Sequence, residues 1–249
     1  MLYFIFIIGA IFGSFYGVVG TRLPEEKSIV KPGSHCEKCG HYLKWYENIP
    51  LLSYIFLGGH CKKCKIPIGF VYFMTELLSG CLFALCYKVF GISYEFFIAV
   101  ILSSLVIIIF VSDSKYMIIN DSPLIVSAIL IFIIKWLDTG ILSALMSLVY
   151  GLIIFGVAYL LMLFGSLAFK QEALGGGDIK LSFVAGMVLG VKLGILYIVL
   201  ASFLAFPYAV YVTLKNKDNM LPFGPFLVSS LLIIYLNMNI ISEIIKVIF

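Results

Sequence analysis

Apolar runs close to twenty residues long recur from one end of this chain to the other. A run of that length, wound as a helix, crosses the roughly 30 Å hydrocarbon core of a bilayer. The repetition therefore predicts an all-α, polytopic integral membrane protein. Composition agrees. Hydrophobic residues make up 62% of the 249 positions and charged residues 12%, against about 45–50% and about 25% in a soluble domain. Eight spans are expected, near 2–20, 71–88, 95–112, 122–137, 140–166, 179–191, 193–213 and 223–240. The sixth is short and reads as a broken or tilted helix, or as one that merges with the seventh. The first run lacks a basic flank and a small-residue cleavage site, so it reads as a retained helix and not a signal peptide.

Basic residues orient the spans. With the N-terminus outside, thirteen of the seventeen Lys and Arg residues fall on the inner side. The long polar segment 21–70 is then cytoplasmic. The chain divides into a first transmembrane helix (1–20), that loop (21–70) and a transmembrane domain (71–249). A net charge of +4 in so apolar a chain names no nucleic-acid partner; the partner implied is the lipid bilayer.

Within the loop stand "HCEKCG" at 35–40 and "HCKKCK" at 60–65. Two residues between cysteines let a tight turn aim both sulfurs at one point. Paired C-x-x-C motifs about twenty residues apart read as a tetrahedral zinc site, here Cys36, Cys39, Cys61 and Cys64. A cytoplasmic loop is reducing, which disfavours disulfides. Four thiolates leave no open position for a reacting water, so the metal reads as structural, ordering a segment too small for its own core. His35, His41 and His60 read as neighbours of the site and not ligands. Cys81 and Cys86 are five apart on a span and read as apolar packing.

Ionisable groups at membrane depth are costly and mark function by default. Three stand out: Asp113 in "IIIFVSDSKYMIIND", Asp178 in "GGGDIK" and Glu76 in "FMTELLSG". The drawn topology puts Asp113 and Asp178 on the same cytoplasmic boundary. Two carboxylates brought close cannot both ionise cheaply, so the pair holds one proton between them. Such a pair can act as general base and general acid on one water, which is amide hydrolysis by aspartic-protease logic. Gly175 and Gly177 then keep side chains away from an incoming peptide. Taken alone, the same stretch is also what a loop followed by a helix N-terminus looks like. Lys180 reads equally as a site residue or a flank residue reaching for the interface, and Glu76 as a hydrogen-bond partner inside the bundle.

Together these residues resemble the type IV prepilin peptidases, the bifunctional leader peptidase and N-methyltransferase family. "GSFYGVVGTRLP" at 13–24 is similar to that family's opening signature, and 34–65 to its cysteine loop. "GGGDIK" supplies the G-x-G-D motif of membrane aspartic proteases, and "LPFGPFL" at 221–227 a late motif. Asp113 matches the first catalytic aspartate. Asn120 stands where the family has proline, and Asp121 follows, a runner-up for that first role. The resemblance implies an intramembrane-type aspartic endopeptidase in the bacterial inner membrane. It would remove a basic leader from prepilins or pseudopilins at the cytoplasmic face, after a glycine, and then methylate the new N-terminus with S-adenosylmethionine. Rival classes are a proton-relaying transporter, with carboxylates near the midplane, and a structural subunit with a zinc-held docking loop.

Overall fold

The computed structural model describes residues 1–36, 38–169, 175–215, 221–241 and 243. Among them the secondary structure is helical, with two isolated bridges in the loop and no strand. Six helices are long and apolar enough to cross a membrane: α1 (Leu2–Arg22), α3 (Phe70–Phe90), α4 (Tyr94–Tyr116), α5 (Asp121–Thr139), α6 (Ile141–Phe169) and α7 (Gly176–Lys215). The short α2 (Leu52–Phe56) lies in the loop, and α8 (Gly224–Leu236) closes the order. The helical membrane fold is as expected. The helices fall into two compact units, Met1–Gly91 and Ile92–Phe249.

In the first unit α1 packs along α3. Lipid gives no hydrophobic drive for two helices to pair, so pairing rests on close contact between small residues. A Cβ on Gly9 would lie 2.7 Å from Ser79 O, and one on Gly13 would lie 2.6 Å from Thr75 O. Only glycine lets these backbones meet. On α3 the buried Glu76 accepts a hydrogen bond of 2.7 Å from the amide of Leu51, a loop residue held at φ 62°. Glu76 is therefore bonded to the loop backbone inside this unit.

The second unit runs from α4 to α8. Ser93 caps α4 by accepting from the amide of Phe96. The helix ends at Met117, a left-handed residue whose amide returns to Asp113 O, so Asp113 sits in the last turn. Asn120 precedes α5 at φ −75° and ψ 144°. Proline would impose nearly that φ, so asparagine leaves the backbone path unchanged.

The forty residues of α7 would extend about 60 Å if straight. They are not straight: Gly190 interrupts them at φ 72° and ψ −171°. Chain closure shows how far they turn. Ile119 lies against both Gly177, near the start of α7, and Gly224, beyond its end. Nine residues from Lys215 to Gly224 reach at most about 32 Å, too little to return from the end of a straight rod. The two halves therefore fold back at Gly190, and Gly186 in the first and Gly194 in the second both lie against Ile154 of α6. The expected sixth and seventh spans, 179–191 and 193–213, are carried by this one interrupted helix, so six helices meet the length for a crossing where eight spans were expected. Breaking a helix strips its last carbonyls of partners; Lys135 of α5 donates to one of them, Met187 O, at 2.6 Å. Its charge also suits the negative end of the half-helix that carries Asp178. The eighth expected span, 223–240, is represented by the thirteen residues of α8.

Candidate active site and metal centre

Asp113 and Asp178 come together in the second unit. Asp113, from the last turn of α4, is 6% exposed; Asp178, from the first turn of α7, is 7% exposed. The helix ends that carry them meet around Ile119, which lies against Gly177, next to Asp178, and against Gly224, whose amide Asp113 holds. Oδ2 of Asp113 accepts a 2.9 Å bond from the amide of Gly224 at the head of α8. Oδ2 of Asp178 accepts from the amide of Gly175 at 3.2 Å, while the Asp178 amide returns to Gly175 O. Only the Asp178 side chain takes part, the return bond being backbone to backbone, so this is half of a capping box at a helix start. It uses one carboxylate oxygen only. Oδ1 of Asp178 is buried with no partner among the described residues. A polar atom in that position is costly unless something comes to meet it.

Ile119 holds the two sides together. A Cβ on Gly177 would lie 2.6 Å from Ile119 Cβ; one on Gly224 would lie 2.8 Å from Ile119 Cδ1 and 2.9 Å from Asp113 Oδ2. Gly177 is thus small because the segment before α5 presses on it, a reason that differs from the expected clearance for a peptide. A Cβ on Gly175 would meet only Asp178, at 3.2 Å from Oδ2, and one on Gly176 would meet nothing within 4 Å. Neither Gly175 nor Gly177 holds a positive φ. Residues 170–174, just before this stretch, lie outside the described residues.

Lys180 turns away from the pair. Its Nζ sits 2.7 Å from both carboxylate oxygens of Asp121, an exposed ion pair with side chains 52% and 54% exposed. Exposed pairs of this kind contribute about 0–1 kcal/mol. Of the two aspartates weighed for the first role, the buried one comes together with Asp178 and the exposed one is engaged by a lysine. Sequence reasoning did not single out Ile119, which carries no chemical signal, or Gly224 beyond its place in the quoted 221–227 stretch.

The metal candidates form a cluster in the first unit. All four sulfurs lie within 4.8 Å of one another, with Cys36–Cys64 at 3.8 Å and Cys39–Cys61 at 3.9 Å. A tetrahedron with Zn–S bonds of about 2.3 Å has edges of about 3.8 Å, so the donor set fits that ion. The two C-x-x-C turns repeat one backbone pattern. Gly40 N donates to Cys36 O and Lys65 N to Cys61 O, while Cys36 N reaches His41 O and Cys61 N reaches Ile66 O. Gly40 and Lys65 close these turns in left-handed conformations, φ 66° and 58°. Amides of Cys39 and Lys38 aimed at the Cys36 sulfur pull its thiol down to about 6. Those of Cys64 and Lys63 lower Cys61 likewise. Cys64 goes the other way: the Ile66 amide lowers it, but burial and the other three thiols outweigh that and push it up to about 11. Each turn thus favours the thiolate, the form that binds metal, at its first cysteine.

None of the three histidines belongs to the cluster. His35 and His60 bond to the carbonyls of Gly33 and Gly58. His41 meets the buried Glu47 at 3.0 Å, which also accepts from the Lys44 amide and faces Lys62 at 3.5 Å. These donors, the Lys44 amide first, hold the Glu47 carboxyl below the usual range. Glu47 so ties the first cysteine turn to the second.

A helical, multi-pass membrane protein with a four-thiol module and a buried carboxylate pair is the class these features define. The model of the bacterial peptidase A24 N-terminal domain matches residues 7–90, and that of the type IV leader peptidase family matches 100–210. The chain belongs to the type IV leader peptidase family and is an enzyme of that peptidase type. It is 39% identical over 239 residues to a prepilin leader peptidase/N-methyltransferase of Bacillus subtilis, covering 95% of this chain and 94% of that one. A Vibrio cholerae protein of the same name is 29% identical, over 94% and 96% of the two chains. One from Myxococcus xanthus is 38% identical over 75% of this chain and 55% of its own. No solved structure matches.

Proposed function

We propose that this chain removes the leader peptide from type IV prepilin-like proteins by aspartic hydrolysis, with Asp113 and Asp178 as the catalytic pair. The observation that carries the reading is their shared burial at the ends of two helices, α4 and α7, that meet around Ile119. With one proton between them, the ionised carboxylate takes a proton from a water as its oxygen attacks the scissile carbonyl. The protonated carboxyl gives its proton to the carbonyl oxygen, and the leaving amine then departs with a proton from the pair. A transporter would keep its acids near the midplane. Here both lie within a turn of a helix end, which favours the peptidase.

The remaining parts follow from that reading. With eight crossings, α7 counting as two, the basic residues favour an N-terminus outside, with the loop and aspartates at the cytoplasmic face of the bacterial inner membrane. The relatives' names pair peptidase with N-methyltransferase, so the new N-terminus is methylated next, with S-adenosylmethionine as donor. Zinc on Cys36, Cys39, Cys61 and Cys64 orders the loop and takes no part in bond cleavage, since four thiolates saturate it.

Incubating the purified protein with a prepilin peptide, with and without S-adenosylmethionine, tests this. Mass spectrometry is expected to show a cut after the leader glycine, and a gain of one methyl group only when the donor is present. An intact peptide would overturn the assignment. Metal analysis is expected to find about one zinc per chain, and Cys→Ser at any of the four positions to lower it. Proteolysis within 21–70 should then rise before peptidase activity falls. A metal-free chain with a protease-resistant loop would contradict the structural role.

A further inference from the structure

Two orphaned polar atoms lie on the folded-back α7. One is Oδ1 of Asp178; the other is the hydroxyl of Tyr197, a side chain with no exposed surface. We propose that Tyr197 is a positioning residue for Asp178: its hydroxyl, with that of Ser182, holds one water against Oδ1 and so fixes the plane of that carboxylate. The proposal rests on the peptidase reading and adds a residue to it.

The placement argues for it. Ser182 lies one turn beyond Asp178 and donates to its carbonyl at 2.9 Å. Gly186 in the first half of α7 and Gly194 in the second both lie against Ile154, so the halves run side by side and the turn at Gly190 sets residue 197 level with residues 182–183, one turn from Asp178. A buried water needs two to four polar partners, and the phenol, Ser182 Oγ and Asp178 Oδ1 supply three. Tyr197 is itself held: Ser230 of α8 donates to its carbonyl at 3.1 Å. The Gly175 amide already secures Oδ2. A second anchor on Oδ1 stops the carboxylate turning about its Cβ–Cγ bond while it waits for substrate. A phenol suits the task, being rigid, and able to give a proton in one hydrogen bond and accept another. The turn at Gly190 is what brings Tyr197 here, since on a straight helix fifteen residues would place it about 22 Å from Ser182.

The test uses the full chain in detergent or lipid. Tyr197→Phe is expected to lower kcat by roughly tenfold or more with KM nearly unchanged, because binding groups stay in place. Ser182→Ala should cost less, and the double variant little more than Tyr197→Phe, because both act through one water. Infrared difference spectra between the wild type and Asp178→Asn isolate the Asp178 carboxyl band; Tyr197→Phe should move that band. Should Tyr197→Phe fold poorly, 3-fluorotyrosine at 197 keeps the shape and should move the same band by altering the phenol. Wild-type kcat in Tyr197→Phe, additive losses, or an unmoved band would each overturn the proposal. A wild-type chain that cuts no prepilin peptide would sink the peptidase reading instead, and the infrared band would still decide Tyr197.

Discussion

Asp113→Asn and Asp178→Asn are each expected to lower kcat/KM for prepilin cleavage by at least about 10³-fold, since each removes one half of a coupled acid–base pair whose single members contribute about 10²–10⁴. Both variants should accumulate folded in the membrane. Asparagine keeps an oxygen that can accept from Gly224 at position 113 or from Gly175 at position 178, the two amide contacts seen here. What is lost is the proton. Asp121→Asn is the control: it breaks only the exposed pair with Lys180, an interaction worth about 0–1 kcal/mol, and should keep most activity. Near-normal cleavage by Asp113→Asn, with none by Asp121→Asn, would move the first role to Asp121. Activity in Asp178→Asn would end the pair altogether. Each assay is best run beside a folding check, because residue 113 also supports the end of α4.

The sequence made these two aspartates visible because charge is scarce in this chain, 12% of residues. A carboxylate at a span boundary can be a plain helix cap, and what singled these two out was their falling on the same side of the drawn topology. The cysteine module was visible for a related reason: metal chemistry fixes both residue type and spacing, and the four sulfurs do meet. Contacts far apart in sequence were not legible. Nothing in "GGGDIK" says that Lys180 reaches back fifty-nine residues to Asp121, or that Ile119 is why Gly177 has no side chain. Tyr197 is one of fifteen tyrosines in apolar surroundings, and only the turn at Gly190 gives it a neighbour worth noticing. The span count was hard to read for the same reason. Hydropathy sees two short runs or one long one equally well, and the choice depends on where the chain must return.

That return also decides which glycines matter. Gly177→Ala and Gly224→Ala are expected to lower kcat/KM by at least about 100-fold each, or roughly 2.7 kcal/mol. At Gly177 the new methyl would lie 2.6 Å from Ile119 Cβ and 3.3 Å from Ile119 O, atoms tied to the backbone that cannot swing aside. A normal carbon–carbon contact is about 3.5–4.0 Å, so α7 must move by about 1 Å relative to the segment before α5. A displacement of that size at a reacting centre costs on the order of 100-fold. At Gly224 the methyl would press on Asp113 Oδ2, at 2.9 Å, the atom its own amide holds. Gly175→Ala meets only Asp178 Oδ2 at 3.2 Å and should cost roughly tenfold, a loss of about 1.4 kcal/mol. Gly176→Ala, with open space around it, should stay near wild type. The contacts also say which second change helps. Ile119→Ala keeps the Cβ that blocks residue 177, so it should not rescue Gly177→Ala. It removes the Cδ1 that crowds residue 224, so it should return part of the loss in Gly224→Ala. Equal and small effects at 175, 176 and 177 would mean that the glycine run only connects two helices. Rescue of Gly177→Ala by Ile119→Ala would mean that Ile119 does not set the distance between the aspartates.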